Sequence, residues 1–237
     1  MPLDKRIFGH RIGDPYIEGP KEEVLEPKES QVITKSLQYQ IFEGAPTQQM
    51  PLLIEQGLRS ASISEIMQGR LEGKLDLKYG YHSGDAIAYS PDGNILIIQN
   101  SVLLRNINLN SRLENGALLI SLRQYENLRA HNPELTRGEL ARAGGLAMSS
   151  SLTHPTQEQV LAHPVWQAVV QDRDLLKEYA EEEFARAREK IGDMWIAGTP
   201  KKHCLRSLVF YGGDVSGLNG ACALNEFTHL PGVREEK

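Results

Sequence analysis

The sequence predicts an α+β protein: a central, mainly antiparallel sheet with flanking helices and a flexible N-terminal arm. Three observations lead there. Residues 85–98, "DAIAYSPDGNILII", read as strand, turn and strand. Ser62 with Glu65, Ser121 with Gln124 and Thr136 with Glu139 each have the spacing of a helix capping box. Apolar residues from Trp166 to Ile191 recur at three- and four-residue steps, the stripe of an amphipathic helix.

In chain order, residues 1–30 hold Pro2, Pro15, Pro20 and Pro27 among many charges, a mixture that buries little and interrupts regular structure. They predict an extended or disordered arm ahead of a single α+β globular domain over 31–237. Ile7, Phe8, Ile12, Tyr16 and Ile17 are the anchors that such an arm would use to dock on its own body or a neighbouring subunit. From Ser36, "SLQYQIF" places Leu37, Tyr39 and Ile41 at period two and opens the body as a half-buried strand. "PTQQMPLLIEQGL" reads as a short helix ending at Gly57, with Pro51 in its first turn or splitting it.

The capping boxes start helices near 63–70, 122–130 and 137–143. Between the first two, "DAIAY" alternates, "SPDG" supplies Pro at the first central turn position, and "NILII" is an apolar run suited to a strand covered on both faces. "SVLLRNI" and "GALLIS" read as further strands, separated by the turn-forming "NLNSRLENG". One long amphipathic helix is expected near 164–191, with Pro164 in its first turn, Arg186, Arg188 and Lys190 at its negative end, and Gly192 terminating it. "LRSLVFY" follows as a buried strand. "GGDVSGLNGACALNEF" reads as a glycine-rich turn region leading to a short last strand, and "GVREEK" as a frayed tail.

Hydrophobic residues at 40% and charged residues at 24% are the mixture of a folding globular chain. A formal charge of −5 leaves nucleic-acid binding unsupported, because that function normally shows as a basic stripe. No apolar run has the length of a signal peptide or a membrane span. Cys204 and Cys222 cannot build a disulfide framework, and no Cys/His pair has zinc spacing. A reducing, cytoplasmic setting follows as the expectation, with no metal and no cofactor assigned.

Three stretches carry candidate chemistry. His82, Ser83 and Asp85 offer a base, a nucleophile and a carboxylate, although neighbours on an extended segment point in alternating directions and so do not form a triad among themselves. "GGDVSGLNG", residues 212–220, places glycines after an apolar strand, where backbone N–H groups can approach an anion and Asp214, Ser216 and Asn219 can line a polar pocket. It lacks the GxxxxGK[ST] spacing and the following helix of a phosphate loop. "GTPKKHCLR" holds Lys201, Lys202, His203 and Arg206, a compact basic cluster able to hold a phosphate and to lower the pKa of the Cys204 thiol.

"YQIFEGAPTQQMPLLIEQGLRS" resembles the strand–helix opening of ADP-ribosyltransferase-like folds over about 22 residues. The resemblance implies a late glutamate, for which Glu226 stands in "NEF"; it also implies a His or Arg on the first strand, where this chain has Tyr39, Gln40 and Glu43. The residues themselves favour a binding or assembly protein that forms homo-oligomers through its arm or long helix. The alternative is a small-molecule hydrolase or transferase assembled from the 82–85 and 212–220 loops, with His82, Asp85, Asp214, Ser216 and Arg206 in its site.

Overall fold

The computed structural model describes residues 37–143, 155–186, 190–213 and 215–235. Among them the order begins β1 (Leu37–Gly44), α1 (Pro46–Glu55), β2 (Arg59–Ser60), α2 (Ile63–Leu71), β3 (Tyr81–Tyr89), β4 (Ile95–Ile98) and α3 (Val102–Arg105). It continues with β5 (Leu113–Glu114), β6 (Ala117–Leu119), α4 (Leu122–Arg129), β7 (Glu134–Leu135), α5 (Arg137–Ala143) and α6 (Gln157–Ala162). Last come α7 (Pro164–Val170), α8 (Arg173–Arg186), β8 (Lys190–Trp195), β9 (Cys204–Tyr211), β10 (Val215–Asn219) and β11 (Thr228–Glu235). The expected arm, residues 1–30, and Asp214 lie outside the described residues.

The main strands hydrogen bond in the order β1-β11-β3-β9-β10-β8, with the short strands attached at the sides. The sheet is mixed: β11 runs parallel to β3 and β10 parallel to β8, while β1–β11, β3–β4 and β3–β9 are antiparallel. Because β1 pairs with β11 from Leu37↔Glu235 to Gly44↔Thr228, the first and last described strands lie side by side. The expected fraying of "GVREEK" is therefore corrected as far as Glu235. Residues 232–235 pair with β1, and Gly232 and Val233 also pair with β2.

The Pro-Asp-Gly hairpin forms as read, with Ala86↔Ile98 through Tyr89↔Ile95. Its apolar second strand divides between two cores. Ile95 and Ile97 join Met67, Trp166 and Phe210 on one face, and Leu96 and Ile98 join Met50, Leu53 and Leu205 on the other. That is why "NILII" is continuous rather than alternating.

Three expected elements differ. The glycine-rich stretch read as a turn region contains strand β10, which pairs with β8 and β9. Within the expected helix over 164–191, the described residues form two helices, α7 and α8, and the start of β8. Gln171 is left-handed (φ 57°), and Asp172 Oδ1 accepts from the N–H groups of Asp174 and Leu175 at 3.0 Å, which starts α8 afresh. The apolar period survives because both helices face one core through Val169, Val170, Leu176 and Tyr179, so it cannot reveal the break. Gly192 sits in β8 with φ +79°, where any Cβ would overlap the Val160 side chain. "SVLLRNI" contains helix α3, because Ser101 Oγ accepts from the Leu104 N–H at 3.4 Å and caps a turn.

The capping boxes at Ser62 and Ser121 are complete, and Thr156 with Gln159 forms another that starts α6. The hairpin β5–β6 turns on Asn115 (φ 50°) and Gly116 (φ +73°), a two-residue loop that needs left-handed backbone at both positions. A Cβ on Gly116 would also overlap Ala223. Gly116→Ala is expected to lower stability by ~2 kcal/mol, read as a lowered urea midpoint. An unchanged midpoint would contradict this account of the turn.

Candidate functional site

The polar start of β3 is interior. His82, Ser83 and Asp85 are 2%, 1% and 0% exposed, at a register shift between β3 and β9. Such an irregularity leaves ladder groups unpaired, and hydroxyls take their place. Ser83 Oγ donates to Leu208 O at 2.9 Å, and Ser207 Oγ donates to Ser83 O at 3.0 Å. Asp85 accepts from the Ile63 N–H at 2.7 Å and the Asn100 N–H at 2.8 Å, joining the start of α2 to the turn before α3. Burial raises its carboxyl to about 6 despite those two donors. Burial likewise pushes the His82 imidazole down to about 3, so it stays neutral. Ser216 is buried in β10.

The basic cluster lies elsewhere, around a cavity of about 570 Å³ whose lining includes Lys201, Lys202, Arg206, Glu114, Tyr89 and Thr199. None of His82, Ser83, Asp85 and Ser216 lines it. Its walls are cross-linked. The Arg206 guanidinium donates to Ala221 O (2.9 Å), Cys222 O (3.0 Å) and Asn115 O (2.6 Å), tying the segment after β10 to the β5–β6 turn. Tyr89 donates to Gly220 O at 2.8 Å and accepts from the Ala197 N–H at 3.3 Å. Arg137 donates to Thr199 Oγ1 on the loop carrying the lysines. Asn219 Oδ1 accepts from the Ala221 N–H at 2.7 Å and shapes the turn, so its role is in the wall.

Lys202 pairs with Glu114 at 2.6 Å, and this ammonium holds the Glu114 carboxyl below its usual range. Lys201 is exposed and has no ion pair among the described residues. Arg206 hydrogen bonds there to neutral carbonyls and forms no ion pair among the described residues. Cys204 corrects an expectation: burial pushes its thiol up, outweighing Arg206, so the buried group is not an activated thiolate. Tyr89, Glu114 and Asn115 were not singled out from the sequence. The Asn-Gly pair at 115–116 was the signal that a hairpin wall stood there.

No protein-family model matches the chain, and no curated protein matches it. Among solved structures, one described as "Accommodation of massive sequence variation in Nanoarchaeota by the C-type lectin fold" is similar, with TM-score 0.65 over 86% of this chain and 100% of that one, at 16% identity. The likeness is one of fold. The segment that resembles ADP-ribosyltransferase-like openings does form a strand and a helix, β1 and α1, and the fold around it is similar to that of this neighbour. Glu226 is exposed in the turn before β11. No described helix is long and apolar enough to cross a membrane, and among the described residues no group of His, Cys, Asp and Glu is placed to hold a metal.

Proposed function

We propose that this is a binding protein that takes a small anion, or the anionic end of a larger molecule, into the cavity around Arg206. One observation carries the reading: among the described lining residues Lys201, Lys202 and Arg206 stand with one carboxylate, Glu114, a surplus of two positive charges in a chain whose formal charge is −5. Cations gathered against the overall sign of a chain raise the local concentration of anions and match phosphate or carboxylate oxygens. The chemistry of the other lining groups favours binding over catalysis. Burial raises both the Tyr89 hydroxyl and the Cys204 thiol, and Glu114 is engaged by Lys202. The lectin-like fold of the neighbouring structure is consistent with a binding role. The assembly reading loses one of its supports, because the stripe on α7 and α8 is used against the protein's own core.

A matched pair of probes tests the proposal. Glucose 6-phosphate is expected to raise the melting temperature at low ionic strength while glucose does not, since a ligand stabilises only the state it binds. Lys201→Ala is expected to weaken that binding roughly tenfold, about 1.4 kcal/mol. Equal shifts with both probes would overturn the reading.

A further inference from the structure

A second cavity, of about 360 Å³, opens where α3 and α4 approach each other, and its chemistry differs from the first. Five carboxamides line it: Gln99, Asn100, Gln124, Asn127 and Asn132. Among the described lining residues none is ionisable and none aromatic; the apolar part comes from Ile98, Val102, Leu103 and Leu128.

The carboxamides are only partly engaged. Gln99 Nε2 donates to Val169 O at 2.6 Å and Ala168 O at 3.2 Å, leaving Oε1 as an acceptor. Gln124 Oε1 accepts from the Ser121 N–H at 2.8 Å, leaving Nε2 as a donor. Asn132 Nδ2 donates to Leu128 O at 2.7 Å, leaving Oδ1. Asn100 and Asn127 are exposed, and their side chains make no hydrogen bond among the described residues. Val102, 65% exposed, stands uncovered beside them.

We propose that this groove docks an extended, uncharged peptide segment of a partner protein. A side-chain carboxamide repeats the chemistry of the peptide group: it can donate to a backbone carbonyl and accept from a backbone N–H at once. Five of them on one lining offer free donors and acceptors to a peptide's backbone groups, and Val102 and Leu128 on the same lining provide seats for its side chains. Among the described lining residues there is no cation for phosphate or carboxylate and no aromatic face or guanidinium on which a base would stack. The groove is also held in shape. Asp85 Oδ1 fixes the Asn100 N–H at 2.8 Å, Gly84 O accepts from the Ser101 N–H at 2.8 Å, and Asn100 is locked at φ 46°. A site ordered before binding loses less entropy when it is filled. The buried Asp85 thus acts as a positioning residue for a surface it never reaches.

The test probes the full-length protein with an array of blocked octapeptides built from Gly, Ala, Ser, Thr, Val and Leu. A subset is expected to bind. Asn127→Leu and Val102→Asp, both at exposed positions, are each expected to weaken those peptides by at least roughly tenfold, with melting temperatures unchanged. Lys201→Ala is expected to leave peptide binding intact, which separates this proposal from the anion cavity. It is overturned if no peptide binds, if both groove variants bind as wild type does, or if maltotriose displaces the peptides at this surface and so assigns it to sugars.

Discussion

Arg70→Leu is expected to lower the stability of the protein by ~4 kcal/mol, a drop of about 10 °C in melting temperature for a chain of this size. Arg70 is 3% exposed and donates to Tyr79 O (2.8 Å), Tyr211 O (3.0 Å), Phe210 O (3.1 Å) and the Tyr179 hydroxyl (3.0 Å). Its guanidinium also lies over the Phe210 ring, 4.3 Å from the centroid. One planar group therefore ties α2 to the end of β9, the segment before β3, and α8. Truncating it strands three buried or half-buried carbonyls, and each unsatisfied group costs about 1–3 kcal/mol. Arg70→Lys is expected to recover less than half of the loss, since a point charge on a flexible stem cannot span the fan of acceptors. Urea denaturation checks both variants; a loss below ~1 kcal/mol for Arg70→Leu would contradict the assignment.

Asp85→Ala is expected to cost ~4 kcal/mol near pH 4 and less than half of that at pH 7. The low-pH cost comes from two buried N–H groups, those of Ile63 and Asn100, left without an acceptor. The pH dependence follows from the carboxyl, which burial raises from its ordinary 3.8 to about 6 in the folded protein. Because the folded value is the higher one, the native state holds the extra proton between them. The stabilising contribution of Asp85 is complete below the unfolded pKa and is lost as pH rises through about 6. The gap between wild type and variant therefore narrows with rising pH, and chemical denaturation at pH 4, 5.5 and 7 measures it. A gap that widened towards neutrality would mean that Asp85 is a normally ionised anion in the fold.

Local chemistry made some of the fold legible and tertiary context hid the rest. Ser62, Ser121 and Thr136 marked helix starts because a cap and its partner lie three residues apart in sequence as well as in space. The "SPDG" turn was equally local. The break at Gln171 was hidden because both helices present apolar residues to one core, and only Asp172, a capping residue inside an apparent helix, signalled it. β11 was underestimated: "GVREEK" reads as a frayed tail, yet Gly232 to Glu235 pair with β1. Its partners, β1 and β2, are distant in sequence, so nothing nearby showed that Gly232 packs beneath the Phe42, Leu58 and Leu53 side chains. Of the candidate site, Lys201, Lys202 and Arg206 were visible as a basic cluster. Glu114 and Tyr89 were not, since they arrive from other strands. His82 and Asp85 were conspicuous by residue type, yet exposure decides their role, and exposure is a property of the assembled sheet.

The anion cavity is tested most directly by charge reversal at Lys201, which has no ion pair among the described residues. Lys201 is exposed and holds no wall in place, so Lys201→Glu leaves the fold intact and alters only the field in the cavity. Titrating glucose 6-phosphate into wild type and variant at low ionic strength, followed by melting temperature, is expected to stabilise the wild type and leave the variant unmoved. Equal stabilisation of the two proteins would contradict the assignment of the cavity to anions.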